Sequence, residues 1–372
     1  MLRVLQVIPT LDRSGAEKQM ALLARGLPRD RFAVEVAALT RLGPLAAELD
    51  AAGVPVTLFA KRFKADLGAL ARLARWMRRR RFDVVHTWIF AANVYGRISA
   101  HLARVPVVVT SEMAVDLWKR RAHLRLDRWL ARWTDQVVGN SDAVVAFYRR
   151  AGVPEAKLAR IYSGIAVEPG PSADPAAVRR SLGIDPAAPL FLYVGRLAEQ
   201  KRVADLLDAA DLLQHVVPAA VTVLAGDGPL RRTLEDRARA FTLLECGRVR
   251  FLGHREDVPA LLAAADALVL PSAFEGLPNV VLEAMVAGKP VVATAAPGTT
   301  EAVDDGRTGV LVPVGDVKGL CRAMRDLARD PSRRRALGEA GRSLVAERFP
   351  IDAMIDAYAE LYDSLARART GR

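Results

Sequence analysis

Two carboxylates eight positions apart, Glu275 and Glu283, carry the sharpest chemical signal in the sequence. They stand in the run Pro271-Ser272-Ala273-Phe274-Glu275-Gly276-Leu277-Pro278-Asn279-Val280-Val281-Leu282-Glu283, which follows the apolar stretch Ala267–Leu270 and leads into a helical pattern. A helix rises about 1.5 Å per residue, so the pair can serve two parts of one ligand roughly 10 Å apart. Between them, the N–H groups of Gly276, Leu277 and Asn279 would sit at a positive helix end, where an anion is favoured. A second cluster, Gly195-Arg196-Leu197-Ala198-Glu199-Gln200-Lys201, places Arg196 and Lys201 on either side of a turn after another apolar run. Two cations so placed can hold a diphosphate from two directions. Taken together, the residues offer a carboxylate for sugar hydroxyls, cations and N–H groups for phosphate, and a second carboxylate for a ribose.

Three weaker features admit a plainer reading. The turn Ser14-Gly15-Ala16-Glu17 opens a helix and presents either backbone N–H groups to an anion or an ordinary tight turn. Gly226-Asp227-Gly228-Pro229 follows a strand and allows close approach of backbone to a ligand, or is a solvent-facing loop. His86 follows the fourth strand and is either a reacting group or a structural histidine.

These residues need a scaffold, and composition limits which one. The chain has 372 residues, of which 51% are apolar and 26% charged, so it is ordinary globular material of about two domains. Two cysteines, Cys246 and Cys321, cannot form a disulfide framework or a four-cysteine zinc site. No apolar run has the roughly 18 residues of a membrane-spanning helix, and the first ten residues lack the long apolar core of a secretory signal. A soluble protein of a reducing, cytoplasmic compartment is therefore expected. Net charge is +12, and the excess lies wholly in residues 1–170, which hold 28 Lys and Arg against 15 Asp and Glu. That half is expected to meet something anionic.

Short β-rich runs alternate with helical periods, which means parallel sheets covered on both faces. The runs fall at residues 4–8, 34–39, 54–59, 84–87, 107–110, 137–139 and 159–162, with helical patterns at 17–26, 44–52, 65–79 and 91–103. A Pro- and Gly-rich stretch around residues 169–175 interrupts them and reads as a hinge. Runs then resume at residues 190–195, 221–225, 249–252, 267–270, 291–293 and 310–312. From Val317 onward the pattern is helical, with breaks at Pro331 and Pro350. Ligands gather beyond the carboxyl ends of such strands, where the candidate residues lie.

In this arrangement the sequence resembles the GT-B glycosyltransferases, in the large retaining branch marked by E-x7-E (glycosyl transferases group 1, family 4). The Ser-Gly-Ala-Glu turn, Asp83-Val84-Val85-His86, Asn140-Ser141, Gly195-Arg196 with Lys201, Gly226 with Gly228-Pro229, Phe251-Leu252-Gly253 and the E-x7-E occur in the family's order. It departs from the family where Ser14 replaces the first glycine of a Gly-Gly turn, and where Ser163-Gly164-Ile165-Ala166 replaces Asn-Gly-Val-Asp. The resemblance implies an α/β protein of two Rossmann-like domains facing across a cleft. These are an acceptor-binding domain at residues 1–168, a nucleotide-sugar-binding domain at 169–350, and a final helix at 351–372 that crosses back to the first. It implies a retaining transferase that moves a hexosyl unit from a nucleoside diphosphate sugar, with His86, Glu275, Arg196 and Lys201 in catalysis. Substrate contacts would come from Gly15, Arg196, Lys201, Gly226, Gly228, Glu275, Gly276, Leu277, Asn279 and Glu283.

No cofactor and no metal are expected, since the sequence lacks an Asp-x-Asp pair and its cations would do the metal's task. A nucleotide-sugar epimerase or hydrolase of the same layout is the alternative. A nicotinamide enzyme lacks its Gly-x-Gly-x-x-Gly here, and no nucleic-acid-binding motif is present. The surplus charge concentrates at residues 61–81 and 118–133, the second interleaved with Trp118, Trp129 and Trp133. Either this is a surface for anionic lipid headgroups, with a lipid-linked or cell-envelope acceptor at the cytoplasmic face, or its helical spacing is in part core-facing.

Overall fold

The computed structural model describes residues 1–63, 65–167 and 174–370, in two compact units: Met1–Gly164 with Ile351–Arg372, and Ile165–Pro350. The boundary expected at 168/169 and most of the hinge expected around 169–175 lie outside the described residues.

In the first unit, strands β1 (Leu2–Thr10), β2 (Phe32–Arg41), β3 (Val56–Leu58), β4 (Val84–Trp88), β5 (Val107–Glu112), β6 (Gln136–Gly139) and β7 (Leu158–Arg160) form one parallel sheet ordered β3-β2-β1-β4-β5-β6-β7. Both faces of the inner strands are buried, which is why they read as unbroken apolar runs rather than alternating ones. Leu5, Val7 and Val85 point to one face, where Leu73, Met77, Ala92 and Tyr95 of helices Leu67–Arg80 and Ile89–Ala103 cover them. Val4, Ile8, Val34 and Val36 point to the other, against Met20 and Leu23 of helix Gly15–Gly26 and Met354, Tyr358 and Tyr362 of helix Ile351–Thr370. Residues 54–59 are expected as a strand, yet only Val56–Leu58 pair. β3 is an edge strand, and Pro55 has no N–H to donate to the ladder.

The second unit holds β8 (Leu190–Val194), β9 (Val221–Ala225), β10 (Val249–Gly253), β11 (Ala267–Leu270), β12 (Val291–Thr294) and β13 (Gly309–Val312), all parallel and ordered β10-β9-β8-β11-β12-β13. In each sheet the chain order reverses once, between β1 and β4 and between β8 and β11. Such a reversal sends the two adjacent crossovers to opposite faces and leaves a crevice at the carboxyl ends of the two strands. The loops after β1, β8 and β11 are those that carry Ser14-Gly15, Arg196 to Lys201, and Glu275.

Candidate active site

The second unit brings Glu275 and Lys201 into contact. Glu275 follows β11 and is 6% exposed, so its carboxylate sits inside the loop rather than on it. Lys201 Nζ donates to its Oε1 at 2.6 Å. No hydrogen bond from a described residue reaches Oε2. Arg196 is exposed, and its guanidinium pairs with no acid among the described residues. The Tyr193 hydroxyl donates to the Arg196 carbonyl at 2.9 Å and fixes the turn from beneath. Burial, and then the nearby Glu275 charge, push the Tyr193 phenol above its ordinary range, so it remains a neutral donor.

The glycines after β9 let a neighbouring loop approach closely. A Cβ on Gly226 would lie 1.9 Å from the Gly195 carbonyl oxygen, and one on Gly228 2.4 Å from the Leu197 carbonyl oxygen. Their missing side chains make room for the loop after β8. Leu197 N donates to the Asp227 carbonyl at 2.9 Å and Leu230 N to the Leu197 carbonyl at 3.0 Å, so the two loops form one backbone unit. Leu277 is 4% exposed, and its side chain belongs to the core. Only its backbone is available to a ligand. Asn279 begins the helix Asn279–Val286, and Glu283 is half-buried in its second turn.

In the first unit, Gly15 is the first residue of its helix and Ser14 the N-cap. Buried Glu17 receives hydrogen bonds from the hydroxyls of Ser14 and Thr10, the latter at 3.0 Å. The positive helix end thus already faces a carboxylate of its own chain. Ser14, where the family carries glycine, supplies one of the two donors.

His86 is the clearest correction. It lies inside β4 rather than after it, is fully buried, and has both ring nitrogens occupied: Nδ1 by the Tyr362 hydroxyl at 2.6 Å and Nε2 by the Ser111 hydroxyl at 2.7 Å. Gln6 is its register partner on β1 and donates to the same Tyr362 hydroxyl at 3.2 Å, while Tyr358 meets Ser111 at 2.9 Å. No atom of the ring is left to touch a substrate. The reactive reading came from the resemblance, whereas here the ring lies within β4 and is held at both nitrogens by side chains of its own unit.

Burial pushes the imidazole down to about 3, so it stays neutral in the fold. Unfolded, it would titrate near 6.5. The unfolded chain then binds one more proton at any pH between these values. Stability from this site is present above about 6.5 and is lost as pH falls toward 3, by up to about 1.4 kcal/mol per unit. Urea melts at pH 7 and pH 5 should show His86→Gln losing less stability on acidification than the wild type. Equal losses would remove His86 from the account.

A further group was not legible in the sequence. Lys119 is 6% exposed, with Nζ 2.9 Å from Asp116, 2.9 Å from Asp127 and 3.5 Å from Glu112. It also donates to the Tyr148 hydroxyl, while Arg97 holds the other oxygen of Asp127 at 2.7 Å. Lys119 is therefore not part of the cationic surface expected at 118–133, and Asp127 does not neutralise that surface. What remains exposed there is Arg120, Arg121, Arg125, Arg128 and Arg132 with Trp118 and Trp129, whereas half-buried Trp133 stacks on His101 at 4.0 Å. In the other basic stretch Asp66 is buried as the N-cap of its helix, and Arg62, Arg72, Arg75, Arg78, Arg79, Arg80 and Arg81 are exposed beside Phe63 and Leu67. Helices Leu67–Arg80 and Arg121–Leu130 both pack on helix Ile89–Ala103. Among the described residues, no helix is long and apolar enough to cross a membrane, and no three His, Cys, Asp or Glu are grouped as a metal site requires.

Known proteins share this architecture. The family model described as Glycosyl transferases group 1 matches residues 175–344, and that described as Glycosyltransferase Family 4 matches residues 13–169. The chain is 27% identical to UDP-Gal:alpha-D-GlcNAc-diphosphoundecaprenol alpha-1,3-galactosyltransferase of Escherichia coli, over 96% of its own length and 95% of that protein. It is 33% identical to glycogen synthase of Mycobacterium tuberculosis, over 75% of its own length and 68% of that protein. Among solved structures it is similar to Anabaena HepE in complex with UDP and glucose, with a TM-score of 0.85 and 26% identity over 98% of this chain and 100% of that one.

Proposed function

Because the chain belongs to the glycosyl transferases of group 1, we propose that it moves a hexosyl unit from a nucleoside diphosphate sugar to a lipid-linked or cell-envelope glycan acceptor, retaining anomeric configuration and using no metal ion. The observation that carries this reading is the Lys201–Glu275 pair beside unpaired Arg196, at the carboxyl ends of the two strands that flank the reversal. In this reading Arg196 and Lys201 hold the diphosphate, and Glu275 accepts hydroxyls of the transferred sugar. Glu283 accepts hydroxyls of the ribose, and backbone groups of Gly276, Leu277 and Asn279 meet phosphate and sugar. Gly226 and Gly228 shape the loop beneath, and Gly15 opens the acceptor-side helix.

The bond from the sugar's anomeric carbon to the diphosphate breaks, and the acceptor oxygen bonds to the same face. Its proton passes to the departing phosphate oxygen. Negative charge grows on that phosphate as the bond breaks, and fixed cations stabilise it most at the transition state. This supports a metal-free route. The two lipid-facing candidates, the exposed arginines of Leu67–Arg80 and of Arg121–Leu130, support a peripheral position at the cytoplasmic face. Each basic residue near an anionic surface contributes about 1 kcal/mol. The relatives named above are transferases and synthases, and the epimerase or hydrolase reading is not favoured.

The test uses the purified chain, a panel of nucleoside diphosphate sugars and a lipid-linked acceptor in anionic vesicles, with EDTA present. Product with the donor's anomeric configuration by proton NMR, and vesicle co-sedimentation lost at high salt, are expected. An inverted product or a strict metal requirement would refute the mechanism. Failure to bind anionic vesicles at low salt would refute the membrane partner.

A further inference from the structure

The geometry points to Gln200 as a positioning residue that latches the loop after β8 to the loop after β11 and thereby sets Lys201 for the diphosphate. The inference rests on the donor reading above. Gln200 is half-buried in the 3-10 turn Glu199–Lys201. Its carbonyl accepts from Ala273 N at 2.8 Å, and its side-chain Nε2 donates to the Phe274 carbonyl at 2.8 Å. One residue thus bonds two consecutive residues of the facing loop. The next residue on one side is Lys201 and the next on the other is Glu275, and these meet at 2.6 Å. From the far side Glu275 N donates to the Pro297 carbonyl at 3.0 Å, so the acidic loop is held at both ends.

The backbone half of this latch is open to any residue type, but the side-chain half is not. It needs a neutral N–H donor at the end of a two-methylene stem. Asp and Glu would set a carboxylate against the Phe274 carbonyl, and an apolar side chain would leave that carbonyl unpaired. Lys201 is a flexible four-carbon stem with a point charge at its end. Without the latch its anchor is free to shift, and a displacement of about 1 Å at a binding cation has large consequences.

The test is a thermodynamic cycle on nucleotide binding. UDP, GDP and ADP are titrated into the full chain by calorimetry, and the tightest is carried forward. Gln200→Leu is expected to weaken that nucleotide about tenfold with the melting temperature within two or so degrees of wild type. Gln200→Ser, smaller and fully solvated, should behave alike. In a Lys201→Ala background, Gln200→Leu should change affinity less than about twofold, because the residue acts through Lys201. Unchanged affinity in Gln200→Leu, or an equal loss in both backgrounds, would overturn the latch while leaving the donor site standing. If Lys201→Ala alone leaves affinity unchanged, or no nucleoside diphosphate binds, the donor reading fails and the latch with it.

Discussion

A Glu275→Gln protein is expected to fold normally and to lose about 100-fold or more in kcat/KM with its donor, because the variant keeps the shape but gives up the charge that meets the sugar hydroxyls. Lys201→Ala and Arg196→Ala should each cost a similar factor. Their effects on stability should differ. Arg196 is exposed and unpaired among the described residues, so its loss should leave the melting temperature unchanged. Lys201 neutralises a carboxylate whose side chain is 8% exposed, and removing it leaves that group buried without its partner. A loss of about 1–3 kcal/mol is expected there, and Lys201→Ala combined with Glu275→Gln should recover part of it. Steady-state kinetics beside urea melts separate the two effects. Full activity in folded Glu275→Gln would sink the assignment.

The largest change in stability is expected at Lys119. Its ammonium is held among Glu112, Asp116 and Asp127. Burial opposes its charge, yet the three carboxylates outweigh burial and keep it above the ordinary lysine range. Lys119→Met would leave Arg97 on Asp127 and only neutral donors on Asp116, and breaking a buried pair from one side costs about 3–5 kcal/mol. Glu112 gives the account a pH signature. Burial raises its carboxyl to about 7, with Lys119 pulling the other way, and Lys119 lies closer to the two aspartates than to it. A folded value above the unfolded one means that stability from Glu112 is present below about 4.5 and is lost as pH rises through about 7. Losing Lys119 should raise that value further, so the deficit of Lys119→Met should shrink on going from pH 8 to pH 5. A deficit under 1 kcal/mol, or one of equal size at both pH values, would contradict the Coulombic origin.

Much of this molecule was legible in its residues because the signals are short in range. Each of the thirteen strands among the described residues falls on an apolar run, and the terminal helices Val317–Arg329, Pro331–Arg348 and Ile351–Thr370 break at Pro331 and Pro350. Proline at a helix start lacks only an N–H that would be unpaired anyway. The candidate donor loops were also legible, since a polar turn after a buried strand lies by construction at the functional end of a parallel sheet.

His86 shows the limit of such signals. The run at residues 84–87 contains it, but a short run does not reveal that its ring is held by Tyr362 and Ser111, 276 and 25 positions away. Counting charge had the same limit. It found a basic half, but it did not distinguish Arg120 at the surface from Lys119 one residue earlier, buried among three acids.

The sequence by itself therefore determined the alternation of elements, the parallel sheets and the turns that carry Arg196, Lys201 and Glu275. Only the tertiary structure decided which of these groups meet. Lys201 reaches Glu275 across 74 positions and His86 reaches Tyr362 across 276. Hydrophobic periodicity is a property of a few neighbouring residues, and it survives any rearrangement of the strands. A hydrogen bond of under 3 Å between distant residues depends on sheet order and register, which packing of the whole chain sets.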